Sequence, residues 1–143
     1  PRENEGRTRY EGVDLSAKTL PWHDLTLTAN GTYAITDSAT QENDDLYSTS
    51  LVLDYNDRQS LKAQLAGRYI WFNDRETIDG GGNSRIWDTH FIWDASVTKT
   101  VGWQGMSTDL FLVVHNLFSS SQYWDYEYPN PDRWVEVGAV FKF

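Results

Sequence analysis

Asp88, His90 and Asp94, in the run Trp87-Asp88-Thr89-His90-Phe91-Ile92-Trp93-Asp94, place two carboxylates and an imidazole at even spacing. On an extended chain, residues two and four apart share a face, and these donor types suit a divalent metal. His115, with Asp109 and the serines Ser119, Ser120 and Ser121, supplies the residue types of a base, an acid and a nucleophile. No Gly-x-Ser-x-Gly elbow accompanies them. The acidic runs Gln41-Glu42-Asn43-Asp44-Asp45 and Asn73-Asp74-Arg75-Glu76 hold calcium-type oxygens but lack the ligand spacing and turn glycine of an EF-hand. Each group has a plainer reading as polar wall or solvated loop. The chain is therefore read as having no catalytic residues, no metal site and no cofactor.

Binding chemistry is better represented. Between Gln122 and Trp134, the rings of Tyr123, Trp124, Tyr126, Tyr128 and Trp134 offer flat surfaces for a large planar or apolar ligand, and Arg133 can pair with a carboxylate. The competing use of the same rings is to pack this segment against the body of the protein.

The elements that would position these groups follow a period of two. From Leu25 to Thr36 the odd positions read Leu, Leu, Ala, Gly, Tyr, Ile and the even ones Thr, Thr, Asn, Thr, Ala, Thr, as on a strand with one apolar face. The same alternation covers 47–55, 61–72, 90–98, 109–115 and 135–143, with a weaker strand near 8–19. An all-β, antiparallel up-and-down meander of about seven long strands is expected, with strands longer than the usual five or six residues. No segment reads as a helix.

The connections add a second pattern. Short turns are expected at 20–24, 56–59 and 101–105, and longer polar loops at 37–45, 73–85 and 119–132, so short and long alternate. Short turns at one end and long loops at the other are the signature of an outer-membrane barrel. Trp22, Tyr55, Trp103, Phe141 and Phe143 fall near the short turns, and Tyr33, Tyr47, Tyr69, Trp71 and Trp87 near the long loops. Two such bands match the aromatic girdles of the membrane interfaces.

Composition narrows the classes. Mean hydropathy is −0.60, with no apolar run near the roughly 18 residues of a membrane helix, whereas alternating barrel strands average out as hydrophilic. A net charge of −9 opposes phosphate neutralisation, so no nucleic acid partner is expected. With no Cys, disulfides and thiolate metal sites are excluded.

Four stretches resemble TonB-dependent outer-membrane receptors. Gly138-Ala139-Val140-Phe141-Lys142-Phe143 is similar to the terminal β-signal read by the outer-membrane assembly machinery, although Val137 stands where that pattern usually has a polar residue. Asn116-Leu117-Phe118 is similar to the Asn-Leu-Phe motif that ends the penultimate strand. Tyr126-Glu127-Tyr128-Pro129-Asn130-Pro131-Asp132-Arg133-Trp134 resembles the last extracellular loop, with Asp132 in place of the usual Gly. The segment from Asn4-Glu5-Gly6 to Gly12-Val13-Asp14-Leu15 resembles a strand entry of the same family.

The resemblance implies that residues 1–143 are the C-terminal portion of a barrel of about 22 strands with a plugged lumen, the plug domain and earlier strands lying outside this sequence. It implies uptake of an iron-siderophore, haem or cobalamin without chemistry on the ligand, at the cell outer membrane of a Gram-negative bacterium. The implied partners are outer-membrane lipid and lipopolysaccharide, the assembly machinery, and TonB through the missing parts. Gly138, Phe141 and Phe143 would form the assembly signal, and the 122–134 loop would touch ligand. Two other readings are a soluble, aromatic-rich β-sandwich that binds carbohydrate and an outer-membrane porin or enzyme barrel.

Overall fold

The computed structural model describes residues 8–38, 41–72, 76–78, 84–86, 90–121, 123–125, 128–129 and 131–143. In chain order the strands are β1 (Thr8–Lys18), β2 (Leu25–Ser38), β3 (Gln41–Asn56), β4 (Leu61–Phe72), β5 (Glu76–Ile78), β6 (Ser84–Ile86), β7 (Ile92–Trp103), β8 (Met106–His115), β9 (Tyr123–Asp125), β10 (Tyr128–Pro129) and β11 (Trp134–Lys142). The seven long strands form one antiparallel sheet in the order β1-β2-β3-β4-β7-β8-β11. β5 pairs with β6 and β9 with β10 as small hairpins inside the two longest connections. The all-β meander expected from the alternation is observed. Its sheet is open, with β1 and β11 at the edges.

Cross-strand partners share a face, so the register tests the alternation directly. Leu27, Leu53, Leu65, Ala95, Val114 and Val135 line up in one row from β2 to β11. Tyr33, Tyr47 and Trp71 form a second row toward the long connections. Tyr55 opposite Leu25, Trp103 opposite Met106 and Phe141 opposite Thr108 mark the short-turn end of the same face. The first row lies near the short-turn end of β2 but near the long-connection end of β8. Hydrogen-bonded neighbours are thus staggered steadily across the sheet, as in a wall of tilted strands.

The seven long strands enter this one sheet, so its apolar face is open. Leu15 is 72% exposed and Val137 73% exposed. Among the described residues Ile92 alone is a buried hydrophobic side chain. Burying apolar surface contributes roughly 25 cal/mol per Å², so an uncovered face of this extent favours an apolar surrounding. A sandwich would require a second sheet over this face, and none lies there among the described residues.

Two connections differ from expectation. β2 reaches Ser38 and β3 begins at Gln41, with Ile35 opposite Asp45 and Ser38 opposite Gln41. The supposed loop 37–45 is therefore largely a hairpin extension. Past the apolar band both faces are polar, so the alternation that marks a strand disappears although pairing continues. Similarly, Trp103 pairs with Met106, which shrinks the turn expected at 101–105 to Gln104-Gly105. Their φ angles of 49° and 84° suit the type I′ turn that matches strand twist.

A second turn of this kind lacks glycine. Trp22 N–H donates to the Leu25 carbonyl at 2.9 Å and Leu25 N–H to the Trp22 carbonyl at 3.0 Å, bracketing His23 (φ 49°) and Asp24 (φ 63°). An L-residue in the left-handed region costs about 1–2 kcal/mol. Asp24→Gly is expected to remove part of that cost and raise the urea midpoint; a lowered midpoint would contradict the assignment. The Arg58–Asp24 contact, 3.8 Å and exposed, contributes little against this.

The turn between β3 and β4 is anchored by Asp57. Its Oδ1 accepts from the amides of Gln59 (2.8 Å), Ser60 (2.8 Å) and Leu61 (2.9 Å). Those bonds, led by the Leu61 amide, hold the carboxyl below its ordinary range because they favour the charged form. The resulting stabilisation is complete above the ordinary unfolded value and is lost as pH falls through the lowered folded value. Asp57→Asn should therefore flatten the acid limb of the unfolding midpoint below about pH 4. Identical acid limbs in both proteins would refute it.

Candidate functional site

The polar face carries a hydrogen-bonded lattice built by register. Ser16 Oγ donates to Asn30 Oδ1 at 2.7 Å, and Asn30 Nδ2 donates to Ser50 Oγ at 3.0 Å. Thr32 donates to Asp14 at 2.6 Å and Gln64 to Asp54 at 2.8 Å. Near the short turns, Asp109 accepts from Thr100 and from Lys142, each at 2.6 Å. These residues fall on the polar phase of each strand's alternation, but which of them meet depends on strand partnership between distant segments.

Of the residues weighed for catalysis, Asp109 and His115 are not brought together. Asp109 is engaged at the short-turn end, whereas His115 ends β8 at the other. His115 instead stacks on Trp134, with ring centroids 3.8 Å apart and planes at 13°. Its Nδ1 lies 3.9 Å from Asp94 and its Nε2 3.8 Å from Glu136. Asp94 accepts the Asn116 amide at 2.9 Å. His90 is exposed, and Asp88 lies outside the described residues. Among the described residues no cluster of three or more His, Cys, Asp or Glu is placed to hold a metal.

The Asn116-Leu117-Phe118 stretch has a clear structural task. Asn116 is 4% exposed and left-handed, with φ at 50°, a conformation that asparagine tolerates better than most residues. Its Nδ2 donates to the carbonyls of Ser120 (2.9 Å) and Pro131 (3.0 Å), while Oδ1 accepts from the Ser120 amide (2.8 Å). Leu117 N–H donates to the Trp93 carbonyl at 2.6 Å. The side chain thereby ties the end of β8 to both ends of the following connection. Phe118 is 66% exposed.

Of the loop expected to touch ligand, Arg133 donates to the Leu117 carbonyl at 3.4 Å and Trp134 covers His115. Both are used at least partly for packing. The backbones of Tyr123, Trp124 and Tyr128 lie in the β9–β10 hairpin; their side chains, and all of Tyr126, lie outside the described residues. Trp87, Asn4, Glu5, Gly6 and the segment 73–75 lie outside them as well.

At the other end of β11, Gly138 pairs with Phe111, whose ring fills the space above the glycine. Phe141 lies on the apolar face at the short-turn end, and Phe143 follows the strand fully exposed. Gly67 repeats the device on the apolar face: the Trp93 ring covers it, Phe91 stacks on Trp93, and Tyr69 stacks on Phe91. Gly67 and Gly138 make room for cross-strand rings, a role the composition of a single strand does not reveal. No family model, curated protein or solved structure matches this chain.

Proposed function

We propose that this chain is part of the wall of a TonB-dependent receptor in the outer membrane of a Gram-negative bacterium. One observation carries the reading: a continuous apolar face lies exposed between two aromatic rows, opposite a hydrogen-bonded polar face, on staggered strands. Lipid chains would cover the first face, and the second would line the lumen. The edges β1 and β11 would pair with further strands to complete a barrel of about 22, since unpaired edges invite aggregation. The terminal Gly138, Phe141 and Phe143, and Asn116-Leu117-Phe118, support this family among barrels.

The function is then binding and energised uptake of a scarce nutrient, an iron-siderophore, haem or cobalamin, without chemistry upon it. Energy would come from TonB through parts of the protein beyond this chain. The 122–134 connection, tied down by Asn116, would form part of the ligand mouth, and lipopolysaccharide would contact the outer rim.

The test is fractionation of source cells with an antibody against this segment. An outer-membrane band far larger than 16.5 kDa is expected, lost when Phe143→Ser is introduced into the full-length protein. A soluble band unaffected by that substitution would sink the reading.

A further inference from the structure

We propose that Arg68, together with Ser48 and Ser50, forms a carboxylate-binding subsite on the polar face. Ser50 sits between Asn30 on β2 and Arg68 on β4 in one cross-strand row. A hydroxyl has one proton to give. The relay along the row runs in one direction: Ser16 donates to Asn30, and Asn30 donates to Ser50. Ser50 has thus accepted, and its proton remains to be donated. The next residue in the row is Arg68, and a guanidinium offers donors only. The row ends with donor facing donor.

Ser48, beside Ser50 on the same face, adds a third donor, and its hydroxyl has no hydrogen-bond partner among the described residues. Asn30, Thr32, Ser48, Ser50, Arg68 and Ile70 line a shallow, open cavity of about 190 Å³. The other arginines with described side chains are engaged: Arg9 with Glu11, Arg58 with Asp24 and Arg133 with the Leu117 carbonyl. Among the described residues Arg68 has no carboxylate partner, in a chain with 21 acidic and 12 basic residues. Nearby Asp14 is occupied by Thr32 and Asp54 by Gln64. A carboxylate satisfies all three donors at once, its two oxygens matching the guanidinium fork while accepting from the serine hydroxyls.

The donor arrangement stands whether or not the sheet lies in a membrane. The membrane reading bears on the source alone: a dissolved ligand's carboxylate, or an acidic side chain of a polypeptide segment filling the lumen. Succinate binding to the purified full-length protein, measured by calorimetry, tests the first source. It should be saturable and at least tenfold weaker in Arg68→Gln, with Arg68→Lys between them. For the second source, carbodiimide treatment of the full-length Arg68→Lys protein should join the new amine to an Asp or Glu of the same chain, found by peptide mass spectrometry. In that case succinate does not bind the wild type. Absence of both succinate binding and cross-link, or succinate binding unchanged in Arg68→Gln, overturns the subsite. Arg68 is exposed, so its replacement leaves the fold in place, which far-UV circular dichroism of the variants verifies. Cell fractionation reads the outer-membrane assignment separately.

Discussion

Asn116→Ala is expected to lower the stability of the long-loop end of the sheet by about 2–4 kcal/mol, among the largest effects of any single replacement here. The amide makes three hydrogen bonds at 2.8–3.0 Å from a site that is 4% exposed, and alanine makes none of them. Alanine is also a poor occupant of a left-handed backbone. Two further variants separate these causes. Asn116→Gly keeps the backbone conformation and loses the amide, so it should fall between wild type and alanine.

Asn116→Asp keeps the acceptor for Ser120 N–H but turns a carboxylate toward the carbonyls of Ser120 and Pro131. A protonated carboxyl can donate where a carboxylate cannot, so the folded-state pKa of that aspartate rises above its unfolded value. Its stability deficit should shrink as pH falls through the raised value. Urea unfolding of the full-length protein, followed by Trp fluorescence between pH 4 and 8, reads all three variants. An alanine variant within about 0.5 kcal/mol of wild type would remove Asn116 from its assigned role.

Gly138→Val should destabilise the last strand by about 1–3 kcal/mol, the usual range for overpacking. A Cβ at this position would stand 2.3 Å from Phe111 Cζ and 2.7 Å from Cε1. The ring must leave its place over the glycine. If fit is the cause, Phe111→Ala in the same protein relieves it, and the double variant is less destabilised than the two singles combined. The same pair bears on assembly. Where Gly138 acts through fit, Phe111→Ala restores the outer-membrane yield of Gly138→Val. Where the assembly machinery reads the glycine itself, the yield stays low in the double variant although its stability recovers. Additive effects on stability would show that the ring and the glycine are not coupled.

Much of the fold was legible because the side-chain period of a strand is two. A run such as Leu61 to Phe72 declares its two faces from its own residues, and β4 has those bounds. Legibility stopped where that signal stopped. Residues 41–45 pair as strand, yet they carry no apolar phase from which to read it. The candidate chemistry fared differently. Asp109 and His115 are six apart in one strand, a distance in sequence that suggested partnership; the extended backbone instead sends them to opposite ends of β8. The partners His115 does have, Asp94, Glu136 and Trp134, come from β7 and β11.

By itself, then, the sequence determined the seven long strands, their two faces, the aromatic bands and the places of the short turns. All of these are local properties, set by alternation, side-chain size and backbone preference within a dozen residues. Tertiary structure alone decided which residues meet: the Ser16-Asn30-Ser50-Arg68 row, the rings of Phe111 and Trp93 over Gly138 and Gly67, and the three bonds of Asn116. Register sets those meetings between segments far apart in the chain, and a slip of one residue would exchange every face. Alternation within one strand states its phase, but only pairing between strands assigns each side chain its neighbours.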